Sequence, residues 1–192
     1  ALKPFPCAET QKYPPVTYCI TGGREDPDPG EKRVLVPSPN VPTYDLKPEM
    51  SCQEVAIEVI NAIKNDDYKL IVVNFANGDM VGHTAVKSAI IEAMNELDKV
   101  LGEVVCEAIG ANIATLITAD HGNVDEINNP KTGKPNTQHS LNPVPCVVID
   151  NKRKWEIIKN DGGLSNITPT VLTLMGIDKP KEMTSDSLIK ES

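Results

Sequence analysis

Apolar residues occur in short continuous runs along the chain, and these runs predict strands. Leu70–Phe75, which is apolar except for Asn74, and Ile113–Ala119, which is apolar or β-branched throughout, are runs of the kind buried on both faces of a parallel sheet. Val16–Ile20 and Val144–Ile149 are rich in valine and isoleucine, and each predicts a further strand.

Between these runs, apolar residues recur every three or four positions and predict helices. Ser51–Glu54 has the pattern of a capping box, and apolar residues at helical spacing follow it to about Asn65. A longer stripe runs from Val86 to Ala108 and stops at Gly110, and a last helix ends at Gly176. This order of strands and helices predicts an α/β fold with a mostly parallel sheet between two helical layers.

Two proline-rich segments lack any period. Residues 1–15 are predicted to be a linker or an extended arm. Residues 24–49 are dense in proline, aspartate and glycine, and are too long for a passive connection. This second segment is therefore predicted to pack on the surface or to form part of a site.

The composition indicates a globular protein of one domain and argues against two classes of partner. Of 192 residues, 40% are hydrophobic and 24% charged, while the net charge of −8 disfavours a nucleic-acid binder. With no signal peptide and no apolar run of about 20 residues, we expect neither secretion nor a membrane span. Five cysteines without a CxxC pair fit a reducing cytoplasm, and we expect Cys19, Cys106 and Cys146 to be buried.

All three histidines lie in polar clusters, and two of these clusters follow predicted strands. His83 is four residues from Asp79 and is flanked by Gly82, so a tight turn is expected to bring both side chains to one ion. Asp120 and His121 follow the second apolar run, and the carboxyl ends of parallel strands are where ligands bind in such sheets. With His139, this set of imidazoles and carboxylates predicts a zinc or manganese site rather than a calcium site.

For the first cluster alone, a capping aspartate beside a surface histidine is the favoured interpretation. It is the conjunction of three clusters that favours a metal centre. Two ions a few Å apart would suit phosphoryl transfer, because they neutralise phosphate oxygens.

Several motifs resemble cofactor-independent phosphoglycerate mutase, a family of the alkaline phosphatase superfamily. The matching segments are Asn77–Thr84, Thr118–Asn123, Asn142–Pro145, Pro37–Pro39, Thr43–Ser51 and Glu182–Thr184, which together span nearly the whole chain in order. The resemblance implies an alkaline-phosphatase-like three-layer fold and an enzyme that interconverts 3-phosphoglycerate and 2-phosphoglycerate through a phosphoserine.

The resemblance also implies roles for six residues. Asp79, His83 and His139 would hold one divalent ion, commonly manganese in the family, with zinc, cobalt or magnesium as alternatives. Asp120 and His121 would contribute to a second ion. Lys12 would face the transferring phosphoryl group, although an exposed surface lysine is the ordinary alternative.

The chain departs from the family pattern in length and at a few positions. Family members are more than twice as long, and their nucleophilic serine, a further metal-binding aspartate and a transferase domain precede the matching region. We therefore expect residues 1–192 to be the C-terminal portion of a phosphatase domain, with an incomplete fold and an open sheet edge. The absence of an initiator methionine at Ala1 fits processing or truncation.

Pro15, Thr21 and Asn136 also differ from the residues usual in the family. On this reading the chain alone is inactive, its partners are the phosphoglycerate substrate and the missing portions of its own polypeptide, and the parent enzyme is monomeric. Two alternatives stay open at this point: a metal-dependent phosphatase or phosphopentomutase of the same superfamily, and a metal-binding domain without catalysis.

Overall fold

A computed structural model describes residues 2–65 and 67–192. The chain divides into two compact units. The first contains residues 1–107 and 121–143, and the second contains residues 108–120 and 144–192.

The first unit is built on a parallel sheet whose central strand lies at the very start of the chain. Its strands are β1 (Pro4–Glu9), β2 (Val34–Val36) and β3 (Leu70–Asn74), in the order β2-β1-β3. Both pairings of β1 are parallel, with Cys7 opposite Val34 on one side and Val73 on the other. An α/β fold with a parallel sheet is thus confirmed.

The prediction of a linker over residues 1–15 is wrong, because Pro4–Glu9 form the buried central strand (residue 1 lies outside the described residues). Proline normally argues against a central strand, since it cannot donate to the ladder. Here the carbonyl of Pro4 faces the β2 side, where it accepts from the Lys32 amide, and the β1–β2 ladder begins only at Cys7. The N–H groups that Pro4 and Pro6 lack would therefore point towards β2 at positions before the β1–β2 ladder begins.

Among the described residues, four helices begin in the first unit: α1 (Tyr13–Val16), α2 (Cys52–Lys64), α3 (Asn77–Gly82) and α4 (Lys87–Gly110), whose last residues belong to the second unit. Helix α2 buries Val55 and Val59. Helices α3 and α4 share a core cluster that includes Val81 and Ile90. These contacts fix α3, which carries part of the candidate site, against the long helix.

The predicted strand over Val16–Ile20 is wrong. Pro14 and Pro15 occupy the first turn of α1, where proline's fixed φ favours a helix, and residues 17–21 form turns. Ser51 also departs from expectation: its hydroxyl donates to the Pro37 carbonyl at 2.8 Å instead of capping α2.

The second unit contains two antiparallel strand pairs and one helix. Strand β4 (Thr115–Thr118) pairs with β5 (Cys146–Ile149), and β6 (Trp155–Ile157) pairs with β7 (Ile189–Glu191). Helix α5 (Ile167–Met175) ends at Gly176, which has the left-handed conformation expected of a C-terminal glycine. The structure pairs β4 and β5 antiparallel, whereas the apolar pattern predicts that both join the parallel sheet.

Among residues 2–65 and 67–192, no helix has the length and apolarity needed to cross a bilayer. Cys19, Cys106 and Cys146 are exposed, so the prediction that they are buried is wrong. Cys7 in β1 and Cys52 in α2 are the buried ones.

Candidate metal centre

The short helix α3 carries Asp79 and His83 immediately after strand β3. Asn77 begins this helix and is buried, and its side-chain amide donates to the carbonyls of Pro48 and Glu49, both at 2.9 Å. Residues four apart on a helix lie on the same face, so the helix aligns Asp79 with His83. The expected tight turn is in fact this helix.

His139 and His121 come from a hairpin formed by residues 121–142. Its two arms are held together by the Ser140 amide, which donates to the Gly122 carbonyl at 2.9 Å, and by the Asn136 amide, which donates to the Ile127 carbonyl at 2.8 Å. We call this segment the 121–142 hairpin. It brings His139 next to Asp79, which is 60 residues earlier in the chain.

Asp79, His83 and His139 turn their ligand atoms towards one another. The carboxylate oxygen Oδ1 of Asp79 lies 2.9 Å from Nε2 of His83 and 3.0 Å from Nε2 of His139. The two imidazole nitrogens are 3.2 Å apart. Two ring nitrogens facing one another across a carboxylate oxygen form an arrangement that a shared cation would stabilise.

A hydrogen bond fixes the tautomer of His83 in the form that a metal requires. The Nδ1 atom of His83 lies 2.7 Å from the Thr137 carbonyl oxygen, which can only accept, so Nδ1 carries the proton and donates. Nε2 is then the nitrogen of His83 that could bind a metal ion in the cluster. A backbone carbonyl holding the outer nitrogen is typical of metal-binding histidines.

Asp79 is held by two donors in addition to the histidines. Lys12 Nζ lies 2.8 Å from its Oδ2, and the Asn123 side-chain amide donates to its Oδ1 at 2.9 Å. The side chain of Asp79 is only 14% exposed. Burial alone would raise the pKa of this carboxyl, but the bonds from Lys12 and Asn123 and the positive charges nearby outweigh it and lower the pKa to about 2.

Lys12 is buried against this carboxylate, with 8% of its side chain exposed, rather than solvated at the surface. It ends the short 3-10 turn Thr10–Lys12 that follows strand β1. Glu9, fully buried at the end of the strand, accepts from the Ser38 hydroxyl at 2.8 Å, and Ser38 in turn donates its amide to Thr10 Oγ1 at 3.0 Å. These hydrogen bonds through Ser38 thus fix the turn that carries Lys12.

His121 lies beside the triad. Its Nε2 is 3.9 Å from Asp79 Oδ1, and its ring stacks on His139 with centroids 3.6 Å apart. Asp120 is exposed and belongs to the second unit, two residues past the end of β4. The structure therefore gathers Lys12, Asp79, His83, His121 and His139 in the first unit and leaves Asp120 outside the three-residue cluster.

Sequence reasoning missed the residues that support the site. Asn123 bonds directly to Asp79, and Thr137 bonds directly to His83. Nothing in the spacing of Asn123 or Thr137 along the sequence indicated these roles. Gly82 offers a signal in retrospect, because a Cβ there would lie 2.7 Å from Asn123 Cγ. A glycine inside a short helix next to a candidate ligand can therefore mark a close approach by a second segment.

Comparison with known proteins gives one family and a consistent set of relatives. The model of the metalloenzyme superfamily matches residues 1–179. The 2,3-bisphosphoglycerate-independent phosphoglycerate mutase of Symbiobacterium thermophilum is 50% identical over 188 residues, covering 98% of this chain and 36% of that protein. The enzyme of the same name from Clostridium novyi is 48% identical over 183 residues, covering 95% of this chain and 36% of its own length.

A solved structure is similar over the whole chain. A crystal structure of Leishmania mexicana phosphoglycerate mutase, determined at low cobalt concentration, aligns with a TM-score of 0.89 and 33% identity. The alignment covers 100% of this chain and 38% of the Leishmania chain. The chain thus spans little more than a third of the length of the relatives it matches.

Proposed function

Since the chain belongs to the metalloenzyme superfamily, we propose that it is the C-terminal portion of the phosphatase domain of a cofactor-independent phosphoglycerate mutase. The proposed whole enzyme is an isomerase that interconverts 3-phosphoglycerate and 2-phosphoglycerate through a phosphoserine. The observation that carries the proposal is the convergence of Asp79, His83 and His139 on one point. The relatives named above, matched over almost the entire chain, support the choice of reaction.

In this proposal Asp79, His83 and His139 hold one divalent ion, and Asp120 and His121 contribute to a second. The donor set fits, because it combines a carboxylate already ionised with an imidazole whose tautomer is fixed by Thr137. Manganese is the proposed metal, with zinc, cobalt and magnesium as alternatives; the two imidazoles suit zinc or cobalt better than magnesium, which prefers oxygen ligands. When bound, the ions would neutralise charge on the phosphoryl oxygens and activate the serine nucleophile.

The remaining residues of the site position charge. Lys12 brings a buried ammonium group to the edge of the cluster, where it favours an anionic phosphoryl group over a neutral ligand. Its ion pair with Asp79 and the bond from Asn123 keep the carboxylate turned towards the histidines. We assign the nucleophile to the part of the longer relatives that this chain does not match. In the chain itself the Ser38 hydroxyl donates to Glu9 and the Ser51 hydroxyl to Pro37, so both serve the structure.

A chimaera tests the proposed reaction. In the Symbiobacterium thermophilum enzyme, the matching region would be replaced by this chain, and conversion of 3-phosphoglycerate to 2-phosphoglycerate measured with manganese present. We expect turnover, and we expect His139→Ala to abolish it while weakening manganese binding by more than about 100-fold, since loss of a ligand exceeds the 10–100-fold effect of an outer-shell change.

Gly78→Ala, on the same helix as Asp79, is the control, because its new methyl group would meet only Met94 Sδ at an ordinary 3.8 Å. A folded chimaera that releases inorganic phosphate without forming 2-phosphoglycerate would favour the phosphatase alternative. A folded chimaera that binds manganese but shows neither reaction would contradict the proposal.

A further inference from the structure

Asp125 ties together the two arms of the 121–142 hairpin. It lies in the 3-10 turn Val124–Glu126 on the arm that carries His121. Its Oδ2 atom accepts from the Ser140 hydroxyl and from the Asn142 side-chain amide, both at 2.7 Å. These donors lie on the opposite arm, and Ser140 directly follows His139.

We call the two bonds from Ser140 and Asn142 to Asp125 the clamp. The packing beneath the clamp leaves little room for the two arms of the hairpin to shift. Ser140 is 7% exposed, and its amide pairs with the Gly122 carbonyl. A Cβ on Gly122 would lie 2.7 Å from Asp125 Oδ1, so the clamp closes directly over a glycine. Glycine at this position lets the carboxylate and the backbone of the opposite strand meet.

Asp125 is ionised over the neutral pH range and can accept both bonds. Partial burial acts to raise its pKa, but the side chains of Ser140 and Asn142 and two backbone N–H groups outweigh this and lower it. Hydrogen bonds to an ionised acceptor are shorter and stronger than neutral ones, as the two distances indicate.

The hairpin supplies most of the contacts that arrange the metal centre. It contributes the ring of His139, the Thr137 carbonyl that orients His83, and the Asn123 amide that holds Asp79. These groups sit on both arms, so their spacing depends on the registration of one arm against the other. Asp125 bonds across the arms within a few residues of each group.

We propose that Asp125 is a positioning residue of the metal centre, which sets the place of His139 relative to Asp79 and His83 without touching the ion. The proposal rests on the proposed function only in taking the centre to bind a divalent cation. It makes no use of mutase activity, so the two can fail separately.

The test compares Asp125→Asn with Asp98→Asn in the 192-residue chain. Asparagine keeps the shape of aspartate but offers one acceptor oxygen and a donor group, so it cannot accept from Ser140 and Asn142 through a single charged oxygen. Asp98 is an exposed aspartate on α4 and serves as the isosteric control. Manganese affinity is measured by calorimetry, stability of the metal-free protein by urea unfolding, and the setting of the His139 ring by its NMR signals.

We expect Asp125→Asn to weaken manganese binding about tenfold, at the lower end of the range for residues that orient ligands, because Asp125 is exposed to solvent. The His139 ring signals should shift in the metal-free protein, and Asp98→Asn should change neither quantity. Ser140→Ala removes one of the two bonds and should give a smaller effect in the same direction, which keeps the test available should Asp125→Asn not fold.

Manganese affinity within twofold of wild type, with unchanged His139 signals, would overturn the proposal even if the variant unfolds at lower urea. Wild-type protein that binds no manganese would refute the proposed metal site of this chain instead, and would leave the reaction to be tested by the chimaera. In that case the His139 signals of the metal-free variants still decide whether Asp125 positions the ring.

Discussion

Replacing Gly82 with alanine adds one methyl group where helix α3 meets the 121–142 hairpin. The new Cβ would lie 2.7 Å from Asn123 Cγ and 3.1 Å from Val124 Cγ1, closer than carbon atoms pack. Gly82 lies within the helix, where alanine is ordinarily better than glycine. The predicted harm is therefore steric, and comes from the opposing segment.

The size of the effect is the balance between a steric cost at Asn123 and a gain in helix propensity. Either Asn123 stays and the contact is overpacked, which costs about 1–3 kcal/mol, or it moves and gives up its bonds to Asp79. Hydrogen bonds to a charged group are worth about 1.5–3 kcal/mol each, and Asn123 is only 6% exposed, so a displaced amide would remain poorly solvated. Alanine returns about 1 kcal/mol of helix propensity. Subtracting this gain from either cost leaves an expected net loss of up to about 2 kcal/mol in the free energy of unfolding.

Urea unfolding of the metal-free protein measures this loss, with Gly78→Ala as the matched control. Gly78 lies on the same helix, and its added methyl group would meet only Met94 Sδ at 3.8 Å. Gly78→Ala should thus be neutral or stabilising by up to about 1 kcal/mol. Manganese affinity should fall about tenfold in Gly82→Ala, because Asp79 loses a supporting donor, and should not change in the control.

A double mutant separates sterics from other causes. In an Asn123→Ala background the nearest obstacle is gone and only Val124 Cγ1 at 3.1 Å remains, so Gly82→Ala should destabilise the protein much less. The reasoning is refuted if Gly82→Ala is as stable as Gly78→Ala, or if its cost is the same with and without the Asn123 side chain.

Two further predictions concern charge. Lys12→Met removes both an ammonium charge 2.8 Å from Asp79 and a donor that orients this carboxylate, so about 1 kcal/mol of relieved repulsion towards manganese is offset by the lost support. Binding of inorganic phosphate to the manganese-loaded protein should weaken, and calorimetry showing unchanged phosphate binding would contradict this. Burial acts to raise the pKa of Asp150, but bonds from Lys152, Trp155 and Arg153 lower it below its usual range. This carboxylate therefore stabilises the fold above its unfolded pKa of about 3.9, and the contribution is lost as pH falls through the lower folded pKa; between pH 7 and pH 3, urea unfolding should show a larger loss of stability for wild type than for Asp150→Asn.

The fold could be predicted mainly from continuous apolar runs and from long stripes of apolar residues at helical spacing. Strand β3 and helix α4 appear close to their predicted bounds. Helix α4 buries apolar side chains at helical spacing, among them Ile90, Ala93 and Val100, whereas the residues of β3 are only partly buried. The resemblance to cofactor-independent phosphoglycerate mutases is confirmed by the relatives matched along the chain. Strand β1 was missed because its two prolines contradict the usual strand pattern, and only the register with β2 and β3 explains why they are tolerated.

The candidate metal ligands could be named from the sequence, whereas the residues that support them could not. Histidine occurs only three times in this chain, so its positions attract notice, whereas asparagine, threonine and serine are common. Asn123 and Asp125 acquire their roles only when the hairpin folds back on α3, 44 residues away from Asp79 in the case of Asn123. Contacts between segments so far apart leave no periodic trace in a single sequence.

The separation of Asp79 and His139 along the chain has a consequence for how fast the protein is degraded. Their 60-residue spacing means that an ion bound to both would act as a cross-link closing a loop of that length. By the chain-entropy relation used for disulfides, such a closure is worth about 4 kcal/mol against the unfolded chain. Loss of the metal would then remove this cross-link as well as the bound ion. The exposed tip of the hairpin near Thr132 would be the first segment that a protease could cleave. Metal supply would in this way govern how long the protein survives.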